Sequence, residues 1–200
     1  MRGTGTELGI RARPISGLTL TGTIWRLRLA SELLFVGDGG TTEAQGPSKR
    51  RGLELAIFFN PAEWLTLDAE YTRSRGRLTD LPSGENNIPG AIESVIAGGF
   101  VAKYGRASLG ARLRHFGSYS LIEDDSVRAD PTTVVNARLG YSLGSIELAA
   151  DLLNVFNSKD KEIEYFYASR LQGEPPEGIE DRHFKAVEPR QLRVSALVKF

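Results

Sequence analysis

The sequence predicts an all-β chain: an antiparallel meander of about nine strands that forms part of a transmembrane β-barrel, and an open curved sheet when taken as an isolated fragment. Three observations predict it. Apolar and polar residues alternate with period two along most of the chain. Short and long connections alternate strictly, and aromatic residues gather at both ends of the expected strands.

Composition bounds the alternatives. The 200 residues carry 25 basic and 25 acidic side chains, two His and no Cys. Zero formal charge draws nothing toward nucleic acid, and the lack of Cys excludes disulfides and Cys-ligated metals. A hydrophobic share of 40% is too high for disorder by composition, yet no run reaches the ~18 apolar residues of a membrane helix. A membrane barrel is apolar only on alternate residues, so its average composition looks soluble. Met1 to Leu20 carries Arg2, Glu7, Arg11 and Arg13 and no apolar stretch of signal-peptide length. The expectation is therefore an intracellular chain or the back part of something longer.

The strands follow in order. Residues 7–13 alternate over a short span. In 18–31, Thr19, Thr21, Thr23, Trp25, Leu27 and Leu29 oppose Gly22, Ile24, Arg26 and Arg28. In 51–59, Leu53, Leu55, Ile57 and Phe59 oppose Gly52, Glu54, Ala56 and Phe58. In 64–77, Leu65, Leu67, Ala69 and Tyr71 oppose Thr66, Asp68, Glu70 and Thr72. Residues 91–103 are apolar on both parities and are placed as a strand because they must connect their neighbours. In 106–117, Leu109, Ala111 and Leu113 oppose Arg112 and Arg114. In 132–141, Val135, Ala137, Leu139 and Tyr141 oppose Asn136 and Arg138. In 145–153, Ile146, Leu148, Ala150 and Leu152 oppose Glu147 and Asp151. In 190–200, Leu192, Val194, Ala196, Val198 and Phe200 oppose Arg193, Ser195 and Lys199. No segment shows a capped 3.6-residue period, so almost no helix is expected.

The connections sort by end. Pro14 to Gly17, Asn60 to Glu63, Tyr104-Gly105 and Ser142 to Gly144 are tight turns, whereas 32–50, 78–90, 118–131 and 154–189 are long. Consecutive connections of a meander fall at opposite ends, so every short turn lies at one end and every long loop at the other. An outer-membrane barrel has this arrangement; a soluble sandwich has no reason to adopt it. Phe58, Phe59, Trp64, Tyr104, Tyr141 and Phe200 would form one aromatic girdle, and Phe35, Tyr71, Phe116, Tyr119 and Phe156 the other.

Charge decides which parity faces lipid. A basic residue at mid-membrane on the lipid face costs about 2–4 kcal/mol. The expectation is that Arg26, Arg28, Asp68, Glu70, Arg112, Arg114, Arg138, Glu147, Asp151 and Arg193 face a lumen. The competing reading gives the charged face to bulk water in a soluble β-sandwich interaction module.

At this point the chain resembles a family. Glu32-Leu33-Leu34-Phe35 through Leu53-Glu54 and Trp64 through Tyr71 resemble the late barrel of TonB-dependent outer-membrane receptors. Asp151-Leu152-Leu153-Asn154-Val155-Phe156-Asn157 resembles the family's penultimate strand, and Glu188-Pro189-Arg190 onward to Phe200 its closing strand. The resemblance implies a bacterial outer-membrane location, lipid contact, uptake of a scarce solute such as a siderophore, and coupling to TonB through an N-terminal part. It also implies a signal peptide, a plug domain and a barrel of about 22 strands. This chain shows neither of the first two, so 1–200 is expected to be a C-terminal barrel segment unable to transport alone. A passive porin or another outer-membrane barrel protein, an enzyme among them, remains the alternative.

Phe200 ends an alternating apolar strand, the pattern through which the barrel-assembly machinery reads a barrel by strand pairing. Tyr165, Phe166, Tyr167 and Arg170 sit on the longest loop, where exposed aromatics either contact ligand or pack the loop onto its neighbours. Glu123-Asp124-Asp125 and Asp160 to Glu164 lack a calcium-ligand spacing. His115 falls on the lipid parity, and His183 lies near Asp181 without an identifiable third partner. Gly37-Asp38-Gly39-Gly40 reads as a turn and fits no phosphate-loop signature. No catalysis, cofactor or metal is expected.

Overall fold

A computed structural model describes residues 2–36 and 41–200, and Gly37 to Gly40, where the sequence predicts a turn, lie outside the described residues. Nine strands form one antiparallel sheet: β1 (Gly3–Ala12), β2 (Leu18–Leu29), β5 (Ser48–Ala62), β6 (Leu65–Leu78), β7 (Ser94–Tyr104), β8 (Ala107–Phe116), β9 (Thr132–Leu143), β10 (Ile146–Leu153) and β13 (Gln191–Val198). Their order in the sheet is their order in the chain, with β1 and β13 at the two open edges. The nine expected strands are thus present, the first beginning earlier and the fifth later than the alternation indicated. Tight turns join the strands at one end. At one of these turns Gly17 has φ +76°, and a Cβ there would lie 2.3 Å from the carbonyl oxygen of Asn60.

Two of the long connections hold more structure than expected. β3 (Glu32–Val36) pairs with β4 (Thr41–Gln45), and β11 (Lys161–Ser169) with β12 (Ile179–Ala186). Both hairpins rise from the long-loop end. In β11, Ile163, Tyr165 and Tyr167 alternate with Glu162, Glu164 and Phe166, where the sequence predicts only a long loop.

Register assigns the two faces. Residues paired directly across strands share a face. One row runs Gly22, Leu55, Tyr71, Ile96, His115 and Thr133. Another runs Ala102, Leu109, Leu139, Ala150 and Val194. This aliphatic face is bare in the chain: Leu139 is 56% and Val194 72% exposed. The opposite face carries Asp68, Glu70, Arg112, Arg114, Arg138, Glu147, Asp151 and Arg193. Its strands are joined by backbone ladders, and its charged residues lie where a barrel has its lumen.

Arg26 and Arg28 depart from the expectation. Arg26 pairs with Arg51 and Arg28 with Lys49, on the same face as Leu53 and Leu55. Both lie on the aliphatic side, not with Asp68 and Glu70. Isolated, β2 offers two plausible parities; its pairing with β5 selects Leu18, Leu20, Gly22 and Ile24 as the apolar one. The cost of arginine on a lipid face falls to about 0–1 kcal/mol near the interface, and both residues stand at the long-loop end.

The packed core lies outside the sheet. Tyr119, Leu121 and Ala129 are buried in the connection after β8, with Ile92, Val127 and Phe166 packed against them. Two members of the expected upper aromatic girdle belong to this layer instead. Tyr119 is buried within it, and the Phe35 ring lies 4.7 Å from Tyr165, between centroids. Phe58 and Phe116 fall on the charged face, so within the nine strands the outward aromatic set is Phe59, Tyr71, Phe100, Tyr104 and Tyr141.

Candidate functional site

Polar and charged side chains gather in two places, the charged face of the wall and the loop layer above it. Along the wall, charges meet across strands. Asp68 and Arg112 occupy one row with Gly99 between them. Arg112 Nη1 donates to Asp68 Oδ1 at 2.5 Å, spanning the intervening strand. A Cβ at Gly99 would lie 2.9 Å from Arg112 Cδ and 2.1 Å from the Ala111 carbonyl oxygen, so the glycine makes the passage for this arm. Asp151 stands between Arg138 and Arg193 in the next example. Arg138 Nη1 donates to both carboxylate oxygens at 2.9 Å. Glu147 accepts from Lys199, and Trp25 Nε1 donates to Glu54 Oε1 at 2.8 Å across the bare backbone of Gly52. Arg114 lies over the Phe116 ring at 5.3 Å. These wall pairs are largely exposed and individually weak, of order 0.2–1 kcal/mol. They set a pattern of charge along the wall.

The loop layer is built around Glu164, whose side chain is 1% exposed. Its Oε1 accepts from the Asp130 backbone N–H at 2.8 Å and its Oε2 from Lys161 Nζ at 2.9 Å. Arg182 Nη1 lies 3.8 Å from the same carboxylate and donates to Asp130 Oδ2 at 3.3 Å. The Tyr119 hydroxyl accepts from the Glu164 backbone N–H at 3.1 Å. A hydrogen bond from Lys161, above all, holds the Asp130 carboxyl below the ordinary aspartate range. Hydrogen bonds to Glu164 and Asp130 in turn raise Lys161 above the ordinary lysine value. A second clamp joins β3 to β5. Burial opposes the charge of Glu32, yet Arg50 and Ser48 together keep its carboxyl low, and Arg50 donates from Nε and Nη2 at 2.9 and 3.0 Å.

The four loop residues singled out from the sequence are brought together unevenly. Phe166 packs into the buried cluster, Tyr165 leans on Phe35, and Tyr167 stacks on His183 at 3.9 Å between ring centroids. Arg170 is exposed, its Nε donating to the Glu174 carbonyl at 3.2 Å. The acidic runs are used as loop ties: Asp160 Oδ2 accepts from the Thr133 N–H at 2.7 Å and Asp124 Oδ1 from the Ser126 N–H at 3.0 Å.

The Asn154-Val155-Phe156-Asn157 stretch also acquires a physical meaning. Asn154 and Asn157 take positive φ of 48° and 53°, which Asn tolerates better than most residues. Asn154 is buried, and its Nδ2 donates to the carbonyls of Ser158 and Glu188, both at 2.9 Å. Asn157 Oδ1 accepts from the Arg190 N–H at 3.0 Å. The motif ends β10 and fixes where β13 begins. Sequence reading found it but missed Glu164, Asp130, Lys161 and Arg182, whose only signal was ordinary loop charge.

The family model described as "TonB dependent receptor-like, beta-barrel" matches residues 1–157. The chain belongs to this family. Solved structures with the same fold include the ferric-catecholate import receptor Fiu of E. coli K12, at 19% identity and a TM-score of 0.74. They also include the ferric yersiniabactin uptake receptor FyuA of Yersinia pestis, at 15% and 0.77, and the siderophore receptor PiuA of Acinetobacter baumannii, at 16% and 0.71. Each alignment covers 98–99% of this chain, which spans 27%, 30% and 28% of those three proteins in that order. Among curated protein sequences none matches. In a barrel of this family the aliphatic face of such a sheet is the one suited to a bilayer and the charged face the one suited to a lumen.

Proposed function

We propose that this chain is the C-terminal wall and loop layer of a receptor that takes up a scarce solute, such as a siderophore, across the bacterial outer membrane by TonB-coupled active transport. The observation that carries the reading is the family match over residues 1–157. The sorted loops and the charged inner wall support it. Energy coupling belongs to an N-terminal plug and TonB-contacting part of the receptor, and the nine strands are the last of about 22. Asp68–Arg112, Arg138–Asp151 and Arg193 offer the solute a charged wall. Tyr165, Phe166, Tyr167 and Arg170 belong to the loop surface beside which it enters, with Arg170 the most accessible of the four.

Phe200 continues the outward parity of Leu192, Val194, Ala196 and Val198, fully exposed, and serves as the strand end engaged by the barrel-assembly machinery. The receptor carrying Phe200→Ser should reach the outer membrane in smaller amounts.

The deciding experiment measures siderophore-dependent growth under iron limitation in cells whose iron supply depends on the receptor containing this chain. Growth should vanish when TonB is deleted. Growth that persists without TonB would show a passive pore instead.

A further inference from the structure

The outward face carries charge in one place only. Within the nine strands, all its Lys and Arg residues lie on β2, β5 and β6, at the long-loop end, and no Asp or Glu shares that face. Arg26, Arg51 and Arg75 form one cross-strand row, and Arg28, Lys49 and Arg77 the next. Arg73 stands beside Leu53 and Ile24 where the aliphatic zone begins. Like charges directly opposite each other destabilise a sheet, so two complete rows of them need a counter-charge. Among the described residues, Arg77 alone of these seven has a carboxylate within 4.0 Å, that of Glu93 at 3.8 Å. The other six are exposed.

Position identifies the counter-charge. Phe59 and Arg51 lie eight residues apart along β5, and a tilted strand crosses the hydrocarbon in about 9–11 residues. With Phe59 at the short-turn interface, Arg51 and Lys49 therefore stand at the far interface. Tyr71 precedes Arg73 on this face of β6, as an interfacial aromatic does. Ser83 and Asn86, from the loop after β6, border the same groove as Arg26, Lys49, Arg75 and Arg77 and add neutral hydrogen-bonding groups to the cations. Guanidinium forks with hydroxyl and amide neighbours suit phosphate oxygens, and apolar Ile24, Leu53 and Leu55 directly below suit acyl chains.

We infer that this face of β2, β5 and β6 is a docking site for a phosphate-bearing lipid of the outer leaflet, its phosphates held by the two basic rows and its acyl chains lying on Ile24, Leu53 and Leu55. The inference rests on the membrane reading above, because the face meets lipid only if the barrel is inserted.

The test uses the receptor containing this chain, extracted from outer membranes and reconstituted in phosphatidylcholine vesicles with or without diphosphoryl lipid A. Bound lipid A is measured by native mass spectrometry, and insertion by protease protection before extraction. The triple variant R26Q/R51Q/R75Q should insert and yet bind lipid A about a hundredfold more weakly. Arg106→Gln, at a short turn, should bind as the parent does. Equal binding by inserted parent and triple variant overturns the inference. So does a cluster that retains an acidic protein in place of lipid A. A parent that never inserts overturns the membrane reading and this site with it. Should the triple variant itself fail to insert, R26K/R51K/R75K supplies the decision: it keeps the charge but not the guanidinium fork, and undiminished lipid A binding by it overturns the assignment of the phosphates to the arginine forks.

Discussion

The barrel wall and the loop layer above it hold together by opposite means. In the wall, nine strands are joined by continuous backbone ladders, and many of their large side chains stay exposed on both faces. In the loop layer the ladders are short, and most of the buried side chains are found there: Tyr119, Leu121 and Ala129, with Glu164 satisfied among Lys161, Asp130 and Tyr119. The wall leaves most of its apolar side chains uncovered within the chain; the loops build an apolar environment of their own. A substitution should therefore be read by two different rules in the two regions.

The largest effect is expected on the outward wall. Leu139→Arg places a charge in the middle of the aliphatic face and should cost about 2–4 kcal/mol, seen as a fall in folded, protease-protected receptor in outer membranes. Normal insertion of this variant would break the comparison, because it would mean that water bathes this face. Next comes Glu164→Ala in the loop layer. It leaves Lys161 and the Asp130 N–H without their buried acceptor and should cost about 1–3 kcal/mol locally. Limited proteolysis should then cut within 117–131 and 154–189 while the wall stays inserted.

Smaller still is Arg112→Gln on the inner wall. Removing an exposed pair should change stability by about 0.2–1 kcal/mol and leave insertion unchanged. If solute uptake falls in this variant while the amount of receptor does not, Arg112 acts on the solute and not on the fold.

The smallest change is expected from pH, and it separates the regions again. Asp130 is held low, so its contact with Lys161 stabilises the folded loop above the ordinary aspartate value and is lost as pH falls through the folded one. Lys161 is held high, so its share is present below the ordinary lysine value and is lost as pH rises through the folded one. Protection factors of the β11 and β12 amides, corrected for the intrinsic pH dependence of exchange, should be highest around neutrality and fall, as opening accelerates, in acid and in strong alkali. Uniform acceleration across β8 and β9 would argue against a separate loop layer.

Much of the wall was legible from the residues alone, because a half-lipid, half-water strand must alternate and a meander must sort its connections. Leu53 to Phe59, Leu109 to Leu113 and Ile146 to Leu152 declare their faces without any partner. The loop layer was much less legible. The aromatic run Tyr165 to Tyr167 was visible, but its packing on Phe35, Tyr119 and His183 joins segments far apart in the chain. Nothing local distinguishes Glu164, which is buried and paired, from the exposed Glu162.

Arg26 and Arg28 mark the boundary between the two kinds of knowledge. Amphipathic strands in a barrel-type meander follow from the residues alone, because period two and loop length are properties of the chain. Which face of β2 is the apolar one follows from its strand pairing and not from its residues. β2 carries apolar residues on both of its sides, so its faces stay undecided until a neighbour pairs with it, and the register with β5 puts these arginines on the aliphatic face.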